Sequence, residues 1–417
     1  MNDCRIAAVV SVALLVWCCS PQAHVRRSIH DYARRHHHHT GFVLADAASG
    51  KILVDINGDR YFTPASNTKV LTLLASVSIL GDTIPALQYR VTGDSLIFRG
   101  TGDPSFLNPF TWPGTAPLKM LQEFPGKLFL YPDKYNPQHY GPGWSWDDYD
   151  TYYQAERGSL PMYGHVIRAR RQGDRPVVEP GIFTDSVQII QNRPDGFRRR
   201  RESNRFFLDA GDSMRRIVPF VTSVPLIKTL LEDTLKRPIN IYSGSLTGDF
   251  RILKGVPADS LYKTMMQDSD NFIADQLLLM AGRTLTDSLD DAPAIDQTKR
   301  TYFHDLNAPP VWVDGSGLSR YNQFSPQTMV RAWSSIAARI PSARLYRLIN
   351  RYPAGSAKPY VFAKTGTLSN NWCLSGFIET RSGRTLLFSS MNANFTVPAR
   401  VIRAELEKTL QYIHEHF

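Results

Sequence analysis

Apolar and polar positions along this chain change period several times, and the changes mark its elements. Residues 41–45 and 51–56 are short apolar runs joined by Ala48-Ser49-Gly50, which predicts a β-hairpin. After Thr63-Pro64 the residues from Val70 to Leu80 are apolar on nearly every side, which predicts a helix buried within a domain. Thr63 can cap that helix, and proline is at home in a first turn. Ahead of the hairpin, residues 26–35 predict a short polar helix, and His36 to His39 follow as a solvated basic stretch. Adjacent histidines on one element do not converge on one ion, so no metal site is expected there.

Residues 85–217 read differently. Short apolar runs alternate with turn signals such as Gly102-Asp103-Pro104 and Gly141-Pro142-Gly143, and Trp and Tyr are frequent. This predicts a mostly β insertion. Helical periodicity returns at residues 225–235 and 269–281. The end of the chain reads as three strands, residues 360–363, 372–378 and 384–389, with Arg381-Ser382-Gly383 as a tight turn, and then an amphipathic helix after Pro398. Antiparallel strands at both ends with helices between them predict one α/β (α+β) domain, an antiparallel sheet flanked by helices, built from residues 20–84 and 218–417 around the insertion.

Composition adds compartment and exclusions. Arg5 precedes an apolar run from Ile6 to Trp17, then Cys18-Cys19-Ser20. The run is shorter than the ~20 residues of a spanning helix and matches the apolar part of an export signal, residues 1–19. A cysteine closing such a run resembles a lipoprotein signal, so a lipid anchor on Cys19 or Cys18 and a place in the periplasm or cell envelope are expected. Three of the four cysteines, Cys4, Cys18 and Cys19, lie in that leader. Cys373 remains, in an apolar strand, as a buried structural thiol without a disulfide partner. The formal charge of +10 suits a polyanionic neighbour. Two arginine clusters, Arg168/Arg170/Arg171 and Arg198 to Arg201, offer a surface to anionic wall polymer or lipid. They lack the aromatic interleaving of a stacking surface, and with the export signal this argues against nucleic acid.

Three short motifs carry the candidate chemistry. In Ser66-Asn67-Thr68-Lys69, Ser66 falls in the first turn of the buried helix and Lys69 follows three residues on, so both share a face. A serine hydroxyl needs a base to become a nucleophile, and a lysine serves when burial and nearby positive charge lower its pKa. Ser269-Asp270-Asn271 opens a helical pattern, and Lys364-Thr365-Gly366-Thr367 closes a strand. These three motifs, in this order, mark penicillin-binding proteins and class A β-lactamases. Each has a decoy in the chain. Ser260-Leu261-Tyr262-Lys263 opens no long buried helix, and Ser369-Asn370-Asn371 follows the Lys-Thr-Gly motif instead of preceding it.

With Phe62-Thr63-Pro64-Ala65 before Ser66, Arg99-Gly100-Thr101-Gly102-Asp103-Pro104, and Asp314-Gly315-Ser316-Gly317-Leu318-Ser319-Arg320, the chain resembles the class C low-molecular-mass penicillin-binding proteins, the D-alanyl-D-alanine carboxypeptidase/endopeptidase family. The long interval between Ser66 and Ser269 matches that family's insertion at this place. The resemblance implies a β-lactamase/transpeptidase-like fold and hydrolysis of peptidoglycan stem peptides through an acyl-enzyme on Ser66, with β-lactams as covalent inhibitors. It implies Lys69 as base, Ser269 and Asn271 as proton relay and substrate orienter, and Lys364 and Thr365 at the substrate carboxylate. Gly366 and Thr367 complete the substrate strand, and the backbone N–H groups of Ser66 and Thr367 form the oxyanion hole. No cofactor or metal is implied. The competing readings are a β-lactamase or esterase of the same superfamily and, from another class, a non-catalytic wall-binding lipoprotein.

Overall fold

The computed structural model describes residues 20–132, 138–191, 196–211, 214–245 and 249–417, and the expectations for Cys4, Cys18 and Cys19 lie outside them. The described chain forms two compact units. One takes the residues up to Leu74 together with Thr298–Trp312 and Arg320–Phe417; the other takes Ala75–Gln297 and Val313–Ser319.

The first unit is built on a six-stranded antiparallel sheet in the order β14-β15-β16-β17-β1-β2. Its strands are β14 (Asn350–Tyr352), β15 (Val361–Leu368), β16 (Asn371–Glu379), β17 (Thr385–Ala393), β1 (His39–Asp46) and β2 (Ile52–Ile56). The expected hairpins are present, and β1 pairs with β17, joining the two ends of the chain, with Phe42 opposite Ser390. Side chains alternate across β16 as strand geometry requires. Trp372, Leu374 and Ile378 face a core closed by Val25 and Ile29 of the helix Pro21–Arg35 and by Ile402 and Leu406 of the helix Ala399–His416. Ser375 and Phe377 face the opposite side, toward Trp333 of the helix Pro326–Ala337.

One histidine departs from the solvated stretch expected at residues 36–39. His38 is buried, its ring stacks on Tyr32 at 5.5 Å, and its Nε2 lies 3.1 Å from Asn392 Oδ1. The chain turns there from helix into β1 against β17, a long-range contact that local polarity does not disclose.

The second unit holds a five-stranded sheet, β12-β5-β4-β3-β13, and two three-stranded sheets, β8-β10-β9 and β11-β6-β7. The largest sheet consists of β3 (Thr83–Thr92), β4 (Ser95–Gly100), β5 (Lys127–Leu130), β12 (Asn240–Ile241) and β13 (Arg251–Pro257). The others are β6 (Val166–Gln172), β7 (Arg175–Glu179), β8 (Val187–Ile190), β9 (Phe197–Arg199), β10 (Phe206–Asp209) and β11 (Arg216–Pro219). Phe98, Leu128, Ile167, Phe206 and Phe220 share one core with Leu230 and Leu231 of the helix Val224–Leu235. Strand β13 hydrogen-bonds to β3 and so ties residues 251–257 into the same sheet.

The second arginine cluster is open to solvent at Arg200 and Arg201 but not at Arg199. It was expected as an open cationic surface, but Arg199 is 2% exposed and donates to the carbonyls of Pro219, Arg200, Arg201 and Tyr149 at 2.7–3.1 Å. Arg198 pairs with Asp150 at 2.7 Å, and Arg201 lies over the Trp146 ring. In the first cluster Arg168 pairs with Glu179 across β6 and β7. Guanidinium forks satisfy several carbonyls at once, which suits them to knit irregular chain. A run of arginines alone does not reveal that its members alternate between inside and outside of strand β9.

Candidate active site

The segment Pro64–Lys69 runs through one 3₁₀ turn, Ala65–Asn67, into the helix Thr68–Ile79. Ala65 is held at φ 49°, a left-handed conformation costly for a residue with a side chain, immediately before Ser66. Ser66 is half-buried, and Lys69, fully buried one turn on, brings its Nζ within 3.1 Å of Ser66 Oγ. The helix around Lys69 is apolar at Val70, Leu71, Leu73 and Leu74, all at 0% exposure, so this amine is placed where water does not solvate it, which favours its neutral, basic form.

Strand β15 carries Lys364, Thr365, Gly366 and Thr367, and it is locked to this turn through Asn67. The Asn67 amide donates to Lys364 O at 3.0 Å and to Cys373 O at 3.4 Å, while its carbonyl accepts from Ser375 Oγ at 2.6 Å. Trp333 Nε1 in turn donates to Ser375 Oγ at 2.9 Å. Gly366 is needed for this approach: a Cβ there would lie 2.4 Å from Pro64 O and 2.8 Å from Asn67 N. Lys364 is fully buried, and its Nζ donates to Thr365 O at 3.0 Å. Burial first, and the charge of Lys69 second, hold the Lys364 ammonium well below the usual lysine range. Thr365 is half-buried and Thr367 is exposed.

Ser269 and Asn271 belong to the second unit. Ser269 also takes a left-handed conformation, φ 61°. Asp270 caps the helix Asn271–Thr286 by accepting from Ile273 N at 2.8 Å, and Asn271 Nδ2 donates to Tyr153 O at 3.1 Å.

The model of the D-Ala-D-Ala carboxypeptidase 3 (S13) family matches residues 22–168 and 253–411. The chain belongs to this family. It is 24% identical over 408 residues to D-alanyl-D-alanine carboxypeptidase DacB of Haemophilus influenzae, with 84% of each covered. It is 23% identical over 427 residues to the D-alanyl-D-alanine carboxypeptidase of an Actinomadura species, covering 86% of this chain and 78% of that one. The crystal structure of penicillin binding protein 4 (dacB) from Haemophilus influenzae superposes with a TM-score of 0.72 at 18% identity, over 93% of this chain and 99% of that one. The same Haemophilus protein complexed with a β-lactam superposes at 0.64. The fold is therefore the mixed α/β one expected, and the chain is a serine peptidase of the D-Ala-D-Ala carboxypeptidase family.

Two features of this S13 peptidase escape a linear reading. Asn67 sits inside the first motif, yet its role is decided by three long-range partners, Lys364, Cys373 and Ser375, which the polar neighbours Ser66, Thr68 and Lys69 do not disclose. The second is a buried acidic pair beneath Asn271. Asp314 accepts from Gly317 N at 2.8 Å, Ser319 N at 2.8 Å and Trp144 Nε1 at 2.9 Å, and Asp275 accepts from Gly315 N at 2.7 Å. Both decoys sit elsewhere. Ser260 donates to Pro257 O in the helix Ala258–Gln267, where Ser260 and Lys263 point away from the buried face formed by Leu261, Tyr262 and Met265. Ser369 and Asn370 form the turn between β15 and β16.

Proposed function

We propose that this peptidase cleaves the D-Ala-D-Ala bond of peptidoglycan stem peptides with Ser66 as nucleophile and Lys69 as general base. The observation that carries the reading is the 3.1 Å contact between Lys69 Nζ and Ser66 Oγ, with the lysine fully buried. Lys69 takes the Ser66 proton as Oγ bonds to the carbonyl carbon. The oxyanion meets the backbone N–H groups of Ser66, in the 3₁₀ turn, and of Thr367, on β15. Ser269 and Asn271 pass a proton to the departing amine, the C–N bond breaks, and water hydrolyses the acyl-serine. Lys364 and Thr365 receive the terminal carboxylate. Because Lys364 is reluctant to hold its proton in the free enzyme, an arriving carboxylate favours the charged form, and binding draws a proton into the site. Cross-link cleavage is the same chemistry with a larger leaving amine.

A fluorescent penicillin should label the protein covalently, and Ser66→Ala should abolish the adduct. Mass spectrometry of products from a pentapeptide muropeptide then reads which bond is cut. Labelling that survives Ser66→Ala and maps to Ser260 would sink the assignment.

The chain is further read as exported and lipid-anchored through Cys19 or Cys18, on the apolar run before them. Labelled palmitate should enter the cell-grown protein and be lost in the Cys18→Ala/Cys19→Ala double variant; unaltered incorporation in that variant rules out this anchor. The insertion is read as residues 85–217, within a catalytic domain of residues 20–84 and 218–417.

A further inference from the structure

The Asp275 carboxyl is buried in the helix that Asn271 opens, one turn after it. It faces the segment Val313–Ser319 within the second unit. Gly315 N donates to Asp275 Oδ1 at 2.7 Å, and Gly315 needs its missing side chain: a Cβ would lie 2.5 Å from Ala274 O. The Ser316 side chain also hydrogen-bonds the Asp275 carboxyl, while Asp275 Oδ2 itself is shielded from solvent and has no hydrogen-bond partner among the described residues. The charged groups facing Asp275 are Asp314 and Arg157. Arg157 is already paired with Asp291 at 2.8 Å, and Asp314 is occupied by three N–H donors. The neighbouring residue Gln276 clamps the same helix by donating to Gly102 O at 2.7 Å and Gly158 O at 2.8 Å.

We propose that Asp275 is a positioning residue that works as a neutral carboxylic acid: held against the Asp314–Ser319 turn, it sets the first turn of the helix and thereby Asn271 for acylation. Two buried carboxylates cannot both ionise cheaply at close range, and the one with fewer donors keeps the proton. Burial, then the Asp314 charge, pushes Asp275 up to about 7. Ionisation above that pH sets a second negative charge against Asp314 with only the engaged Arg157 to answer it, and the turn and helix separate. The proposal rests on the Ser66 reading, because acylation of Ser66 is what it modulates.

The test is the rate of Ser66 acylation by a fluorescent penicillin from about pH 5.5 to 8.5, in wild type and in Asp275→Asn, which mimics the neutral acid. The two rates should agree within about threefold at the acid end, and the ratio of variant to wild type should climb roughly tenfold with a midpoint near 7. Asp275→Ala, which strands Gly315 N–H, should lose roughly tenfold at the acid end, and its deficit against wild type should shrink above about pH 7, where the wild type ionises and the variant cannot. A merely structural residue would lower the rate without moving the profile. A flat ratio across the range overturns the proposal, as does a variant slow at all pH values while folded by circular dichroism. Should Asp275→Asn not fold, a ¹³C-carboxyl titration of the wild type decides: no aspartate titrating between about pH 6 and 8 overturns it equally. Absence of labelling at Ser66 in the wild type is a different result and sinks the Ser66 reading instead.

Discussion

At the scale of single residues, the site is a matter of where protons and water are kept. Lys69 stands 3.1 Å from Ser66 Oγ without solvent, and Lys364, also buried, feels its charge. Burial first, and the charge of Lys69 second, make Lys364 reluctant to hold its proton. Lys69→Arg tests the base directly, since guanidinium keeps its proton in proteins. Acylation by penicillin, measured by stopped flow, should fall by ~10²–10⁴-fold, the range for loss of a general base. A near-normal rate would make Lys69 a structural cation only. Cys373 is the contrasting case: burial pushes its thiol up to about 12, so it stays protonated and inert, as its apolar sequence setting implied.

Elements bring these residues to their places, and here the packing partners matter more than propensity. The short hairpin β1–β2, the buried helix Thr68–Ile79 and the strands β15 to β17 follow from apolar periodicity and turn chemistry, and all formed where expected. The contact of Gly366 with Pro64 O and Asn67 N does not follow, because it joins positions about three hundred residues apart, which no local pattern links. The arginines show the opposite failure. A polar run was expected at the surface, yet the Arg199 fork closes four carbonyls in the interior. Arg199→Ala should therefore cost at least ~2 kcal/mol in urea unfolding, since buried carbonyls lose their donors. Arg200→Ala, at an exposed position, should change stability by less than ~0.5 kcal/mol. Equal effects of the two would return Arg199 to the surface.

For the whole molecule, buried acids set how stability responds to pH. Asp275 is about 7 in the folded chain against 3.8 for an ordinary aspartate, so the native state holds this proton more tightly than the unfolded state. Its favourable contribution is complete below about pH 4 and is lost as pH rises through about 7. Asp103, pushed up to about 6 by burial, acts in the same direction. His165 acts oppositely: burial lowers it to about 4, so its contribution is lost as pH falls from its ordinary 6.5. Differential scanning calorimetry of Asp275→Asn against wild type should show a Tm difference that grows in favour of the variant between about pH 4 and 7 and then levels off. A difference independent of pH would mean that Asp275 does not hold a proton at neutrality.

Sequence alone determined the family and the chemistry to test, because a nucleophile and its base one helical turn apart, a capped helix start and a Lys-Thr-Gly strand are local arrangements that spacing encodes. It also determined the β character of the insertion and the sheet shared by both chain ends, through period and turn residues. Tertiary structure decided the rest. The extent of the β3–β13 sheet, the burial of His38 and Arg199, the Asn67 link to β15 and the Asp275–Asp314 pair all join residues distant in the chain. The energies that place them, the desolvation of a charge and the need of every buried polar atom for a partner, are properties of the enclosed space and not of the neighbours in sequence.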